Sequence, residues 1–152
     1  MNISKTIFIL LMLVACGVCG CIDIAPTDAP QAAEGGADGG GIVWYSYEDG
    51  MKIAQEQKKP VMIYVYTGWC GGCKKLNRVV YVDLDVIELS DDFVCIKIDA
   101  DRHRDLAAKY NPRGYVPTIV FLRADDTVVH GFIGYKGPDE FMKEMMVALS
   151  KV

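Results

Sequence analysis

Short apolar runs alternate with segments of helical hydrophobic spacing from residue 42 to the C-terminus. The apolar runs are rich in β-branched and aromatic residues, which is typical of buried strands. The predicted strands are residues 42–47, 60–66, 93–99, 118–123 and 127–133. Apolar residues spaced three or four positions apart predict helices between and after these runs. The predicted helices are residues 48–59, 70–81, 83–89, 101–110 and 137–152.

This order of elements predicts an α/β domain with a central mixed sheet and helices on both faces. The last two strands are joined by a short turn at residues 124–126, so they are expected to form an antiparallel hairpin. The helical residues expected to face the core are Met51, Ile53, Ala54, Leu76, Val79, Val80, Leu106, Ala107, Tyr110, Phe141, Met145, Ala148, Leu149 and Val152.

The chain has 152 residues, with 16 Lys and Arg against 20 Asp and Glu. This length allows one domain and little more. The charge is mildly acidic, and no basic stripe indicates nucleic-acid binding.

The first 21 residues have the pattern of an export signal, with a short positive start and a charge-free apolar run. Two cysteines in it resemble the lipid-modified cysteine of lipoproteins. Cys16 matches the local pattern better. Cleavage before Cys21 would remove Cys16 and Cys19, and the lipid would block Cys21, so the remaining thiols would be Cys70, Cys73 and Cys95. Cys21 is therefore favoured. An uncleaved membrane anchor is the alternative. Each version predicts that the domain lies on the extracytoplasmic face of the cell membrane.

Residues 22–41 consist mainly of Gly, Ala, Pro and Asp. Such a composition buries too little apolar surface to order itself. We therefore expect a flexible tether, followed by the folded domain at residues 42–152.

The sequence Trp-Cys-Gly-Gly-Cys at residues 69–73 directly follows the predicted strand 60–66. A spacing of three at the start of a helix places Cys70 and Cys73 on one face, within reach of a disulfide. The helix N-terminus stabilises an anion, so it favours the Cys70 thiolate at an accessible helix tip. A thiolate is the nucleophile of thiol–disulfide exchange, and the pair therefore predicts redox chemistry.

Two other interpretations of the cysteine pair remain. Half of a zinc site would need further Cys or His ligands, and the only histidines, His103 and His130, lack ligand spacing. A purely structural disulfide would close a very short loop, which restrains the unfolded chain little.

Three landmarks together resemble the thioredoxin superfamily, in particular exported, membrane-anchored thioredoxin-like domains. The first is Lys-Pro-Val at residues 59–61 leading to Trp-Cys-Gly-Gly-Cys-Lys at residues 69–74. The second is Val-Cys-Ile-Lys-Ile-Asp at residues 94–99, and the third is Val-Pro-Thr-Ile-Val-Phe at residues 116–121. The resemblance covers residues 43–152.

The resemblance implies a redox-active Cys70–Cys73 disulfide in which Cys70 attacks and Cys73 resolves. It also implies a cis peptide bond between Val116 and Pro117. The alternative is that Pro117 simply begins a strand. The backbone of Val116 would then pair with an extended substrate. Trp69 is expected to line the substrate groove, or alternatively to sit in the core, and Tyr115 to flank the groove.

The chain departs from the family pattern at several positions. Tyr64 stands where the family keeps a buried Asp that helps to move a proton from the resolving thiol, and a phenol is a poor base at neutral pH. Cys95, expected to be buried and inert, stands where the family's partner lysine is expected. Two residues rather than one separate Gly114 from Pro117. The Gly-Gly pair lacks the histidine of strongly oxidising relatives, so we expect a potential below about −150 mV.

The resemblance implies an extracytoplasmic, membrane-tethered thiol–disulfide oxidoreductase of the reductase type. Its expected partners are exported proteins with cysteines or disulfides, and a membrane protein that donates electrons. A monomeric domain is expected, with no metal, organic cofactor or nucleic acid. The alternative function is a thioredoxin-fold binding or maturation module without redox turnover. Copper handling is a third class, but Met and His are missing around the motif.

Overall fold

The computed structural model describes residues 41–152. Its strands are β1 (Trp44–Tyr45), β2 (Val61–Tyr66), β3 (Val94–Asp99), β4 (Thr118–Leu122) and β5 (Val128–Ile133). Its helices are α1 (Tyr47–Gln57), α2 (Gly71–Lys75), α3 (Leu84–Ser90), α4 (Arg104–Tyr110) and α5 (Pro138–Leu149). The predicted signal or anchor, with Cys16 and Cys21, and all but the last residue of the predicted tether lie outside the described residues.

The five strands form one mixed sheet in the order β1-β3-β2-β4-β5. β1 and β2 pair parallel with β3, whereas β4 pairs antiparallel with both β2 and β5. The α/β class and the antiparallel hairpin are therefore confirmed. Within residues 41–152, no helix is both long enough and apolar enough to span a bilayer.

The sheet separates two apolar cores. One core contains residues of α2, α3 and α5, and the other contains residues of α1 and α4. Successive residues of β2 alternate between them: Met62 and Tyr64 face the first core, and Ile63 and Val65 face the second. This explains why β2 is an unbroken apolar run, since a central strand is covered on both faces.

A π-helical turn (Leu76–Val80) continues α2. The Tyr81 N–H donates to the Leu76 carbonyl at 3.0 Å, a bond that spans five residues and inserts one extra residue into the turn. Tyr81 is consequently buried, and Val79 is 42% exposed. The prediction that Val79 faces the core was wrong for this reason. Val152 is exposed as well, because α5 ends three residues before it.

Gly50 marks the closest approach of α1 to the sheet. A Cβ at this position would lie 2.4 Å from Ile96 Cγ1. Only glycine therefore allows α1 to pack at this distance against β3. The order of elements in the sequence did not predict this requirement for glycine.

Candidate active site

The cysteine pair lies where β2 leaves the sheet and α2 begins. Cys70 is the N-cap residue of α2, and the Cys73 N–H donates to Cys70 Sγ at 3.0 Å. The two residues form a disulfide with their Cα atoms 5.2 Å apart. After reduction, the same N–H can donate to a Cys70 thiolate, and a hydrogen bond to the charged form of an acid lowers its pKa.

The exposure of the motif differs from the expected accessible helix tip. In the disulfide Cys70 is 4% exposed and Cys73 is 2% exposed. The flanking residues Trp69 and Gly71 are exposed, and Trp69 reaches 70%, which excludes the alternative that it belongs to the core. Trp69 is thus a largely exposed side chain next to a nearly buried sulfur pair.

The loop before β4 packs against the cysteine motif. The Val116–Pro117 peptide bond is cis, which is the isomer that the resemblance implies. A Cβ on Gly72 would lie 3.1 Å from Pro117 Cδ, so the second glycine of the motif permits this close contact. The Pro117 carbonyl accepts from the Gly134 N–H at 2.8 Å, which ties the loop after β5 to the same place.

The additional residue in the cis-proline loop is accommodated by local hydrogen bonds. The Tyr115 carbonyl accepts from the Asn111 side-chain amide at 2.8 Å and from the Thr118 hydroxyl at 2.6 Å. The backbone of Tyr115 is therefore fixed while its side chain stays 61% exposed. Val116, in the same loop, is half-buried and packs against both cores.

Tyr135 is a neighbour of the motif that the sequence patterns missed. Its Cβ would lie 3.9 Å from a Cβ on Gly72, and the Lys75 ammonium lies 4.1 Å from the centre of its ring. The pairing of β4 with β5 brings residue 135 to the cysteines from more than 60 positions away in the chain. Trp69, Tyr115 and Tyr135 together supply three accessible aromatic side chains, called here the aromatic groove.

A lysine lies beside Tyr64, although the family pattern placed Cys95 at the position of the partner lysine. In the β2–β3 register Tyr64 lies opposite Lys97, and Cys95 lies two positions earlier, opposite Met62. The Lys97 ammonium lies 4.7 Å from the centre of the Trp44 ring, and burial lowers the pKa of this lysine. The chain thus places a lysine opposite Tyr64, the position at which the family pattern has a carboxylate.

Tyr64 is fully buried, and burial raises the pKa of its phenol well above the ordinary value. Its ring centre lies 5.2 Å from that of Tyr81, whose phenol is also buried and raised in pKa. Within the described residues neither hydroxyl has a hydrogen-bond partner. A neutral phenol of this kind cannot act as the base that deprotonates Cys73 near neutral pH.

Cys95 is free and buried, and burial raises the pKa of its thiol to about 12. We predict that reduced native protein reacts rapidly with iodoacetamide at Cys70, whereas Cys95 reacts only after unfolding, because the thiolate is the reactive form. Peptide mapping after timed alkylation measures both. Alkylation of Cys95 as fast as that of Cys70 would contradict the prediction.

Among residues 41–152, no group of three or more His, Cys, Asp or Glu side chains is arranged to hold a metal ion.

The thioredoxin-like family model matches residues 43–124, which carry β1 to β4 and the cysteine pair. The chain belongs to the thioredoxin-like family. A thioredoxin from Bacillus subtilis is 32% identical over 93 residues, which cover 61% of this chain and 85% of that protein. The solution structure of a thioredoxin from Thermus thermophilus superposes with a TM-score of 0.64 at 30% identity, over 71% of this chain and 87% of the other.

Larger proteins match part of the chain as well. Protein disulfide isomerase-like 2-2 of Oryza sativa subsp. japonica is 34% identical over 91 residues, which cover 60% of this chain and 24% of that protein. The chain thus spans about a quarter of the length of this relative. The similarity therefore concerns only a part of the larger protein.

Proposed function

We propose that this protein is a thiol–disulfide oxidoreductase of the reductase type. The observation that carries the proposal is the Cys70–Cys73 disulfide at the start of α2, with the Cys73 N–H directed at Cys70 Sγ. The contact of Gly72 with Pro117 supports it, because an extended substrate backbone can then approach the pair beside Val116.

The exchange runs in two steps. The Cys70 thiolate attacks one sulfur of a substrate disulfide, forms a mixed disulfide and displaces the first substrate thiolate, which takes up a proton. Cys73, as a thiolate, then attacks Cys70 Sγ, forms the Cys70–Cys73 disulfide and releases the second substrate thiolate. Two electrons pass to the substrate, and an external dithiol must return them to the enzyme.

The reducing direction follows from what contacts Cys70. Among the described residues, the hydrogen bond to Cys70 Sγ comes from one backbone N–H at a helix start, and glycines occupy the two positions between the cysteines. A strongly oxidising pair needs a reduced form with much greater stabilisation. We therefore propose a modestly lowered Cys70 pKa and a reducing or intermediate potential.

A directional assay tests this proposal. Reduced full-length protein is mixed with a disulfide-bonded peptide, and oxidised protein is mixed with the same peptide as a dithiol. We expect the protein to reduce the peptide disulfide about tenfold or more faster than it oxidises the peptide dithiol. If the potential of the protein is about 30 mV below that of the peptide, the equilibrium favours reduction of the peptide tenfold. Faster oxidation would contradict the reductase assignment, and the Cys70→Ser variant should be inactive in both directions.

We also propose that the domain acts outside the cytoplasm, held to the membrane by its N-terminal segment. The charge-free run and the two candidate lipid-bearing cysteines support this. Fractionation of cells that produce the full chain, with Cys21→Ser and Cys16→Ser variants, tests it. Release into the soluble fraction by one variant identifies the modified cysteine, whereas a soluble wild-type chain would overturn the tether.

The low exposure of both sulfurs favours a second candidate, a binding or maturation module without redox turnover. Such a module would bind reduced and oxidised peptide equally and exchange neither. The directional assay separates the two candidates, because only an oxidoreductase releases peptide thiols in proportion to the oxidation of its own pair.

A further inference from the structure

Three segments at the cysteine pair contain no carboxylate side chain. Residues 57–82, 106–124 and 127–138 contain no Asp or Glu, although the whole chain has 20 of them. These three segments supply the motif with its preceding strand, the cis-proline loop, and the loop that carries Tyr135. The surface around Cys70 is therefore poor in negative charge on a protein whose net charge is −4.

Several cations of these segments are free to act on a ligand. Lys74, Lys75 and Arg113 are exposed, and within residues 41–152 none of them forms an ion pair. Lys75 lies over the Tyr135 ring, which places its charge directly at the aromatic groove. Lys136 is not among these unpaired cations, because its ammonium pairs with the Glu144 carboxylate at 2.9 Å.

The loop between β3 and α4 borders the same end of the sheet and carries both signs of charge. Asp99 pairs with Arg102 at 3.6 Å. Asp101, Arg104 and Asp105 are exposed as well. Residues 99–105 thus contain three Asp and two Arg, and the excess positive charge lies on the side of α2 and the cis-proline loop.

We propose that the groove binds an extended protein segment whose cysteine is flanked by carboxylate side chains. This proposal rests on the oxidoreductase function and names its substrate class. Trp69, Tyr115 and Tyr135 offer apolar contact to the residues next to the substrate cysteine, and the free lysines and arginine offer charge complementarity to acidic residues beyond them. Because the rest of the protein is acidic, the same charges also steer an acidic segment to this face and away from others.

The test uses three peptides with an identical cysteine core and Glu, Gln or Lys on both flanks. Each peptide is linked by a disulfide to a neutral thiol dye, and reduced full-length protein releases the dye. We expect the Glu peptide to react about tenfold faster than the Lys peptide at low ionic strength, with the Gln peptide between them. The difference should nearly vanish at about 1 M salt, where the Debye length is about 3 Å.

Charge reversal identifies the residues responsible. Lys75→Glu and, independently, Arg113→Glu should reduce or invert the preference for the Glu peptide over the Lys peptide. Lys52→Glu is the matched control, because Lys52 is exposed on α1, which packs on the opposite face of the sheet. It changes the net charge equally and should leave the preference intact.

The outcomes separate this proposal from the proposed function. Equal rates for the three peptides, or an equal loss of preference in Lys52→Glu, would overturn the acidic substrate class while the reacting Gln peptide still supports the exchange activity. If none of the peptides reacts, both proposals fail.

Discussion

Replacing Cys73 by serine should stop the reaction halfway, with substrate proteins bound covalently to Cys70. The variant keeps the attacking thiolate and its position at the N-terminus of α2, and it loses the sulfur that displaces the substrate. Turnover should fall by about a thousandfold or more, the size of effect seen when an essential group of a catalytic unit is removed. The mixed disulfide is measured by non-reducing electrophoresis and by mass spectrometry of the linked peptides.

Two variants control the trapping experiment. Cys70→Ser should trap nothing, because it removes the attacking sulfur at the start of α2, to which the Cys73 N–H donates. Cys95→Ser in the Cys73→Ser background should trap as much as Cys73→Ser alone, because the Cys95 thiol is buried. Trapping through Cys73 or Cys95 instead of Cys70 would show that the roles of the cysteines are assigned wrongly.

Substitutions of Tyr64 should change stability in opposite directions. Tyr64→Phe removes a buried hydroxyl that has no hydrogen-bond partner among the described residues, so the free energy of unfolding should rise by about 1 kcal/mol. Tyr64→Asp restores the carboxylate of the family pattern beside Lys97, but it removes a fully buried ring. The unfolding free energy should then fall by about 3–5 kcal/mol, the usual loss for truncating a buried aromatic residue.

Denaturant unfolding of the oxidised proteins measures both changes. Tyr81→Phe is the matched variant, since its hydroxyl is also buried without a partner. A loss of more than about 1 kcal/mol in Tyr64→Phe would show that the hydroxyl makes a favourable hydrogen bond, which is worth about that much. The resolving step should keep its rate in Tyr64→Phe, because a phenol of raised pKa is not the base for Cys73.

The sheet could be predicted from the sequence because its strands carry the physical signal themselves. β2 is apolar along its whole length because it is covered on both faces. For each of β2 to β5, the predicted and observed bounds differ by one residue at one end. The π-helical turn could not be predicted, because Leu76 and Val80 fit an ordinary helical face equally well. The extra residue shows only in the hydrogen bond that Tyr81 makes.

The surroundings of the cysteines were predicted less completely than the pair itself. That Lys97 lies opposite Tyr64 depends on the register of β2 with β3, which the alternation of apolar residues along each strand does not fix. Tyr135 was missed because only the β4–β5 pairing brings it to Gly72. The limited exposure of Cys70 likewise depends on packing that no spacing of residues reveals.

A redox titration of Cys70 and Cys73 in the full-length protein tests the proposed chemistry most directly. The protein is equilibrated in glutathione buffers of graded ratio, alkylated, and the fraction of each cysteine in the disulfide is measured by mass spectrometry. We expect both cysteines to change together in one two-electron transition with a midpoint between about −270 and −150 mV. A pair that stays bonded or stays free across the whole range would contradict a role in thiol–disulfide exchange.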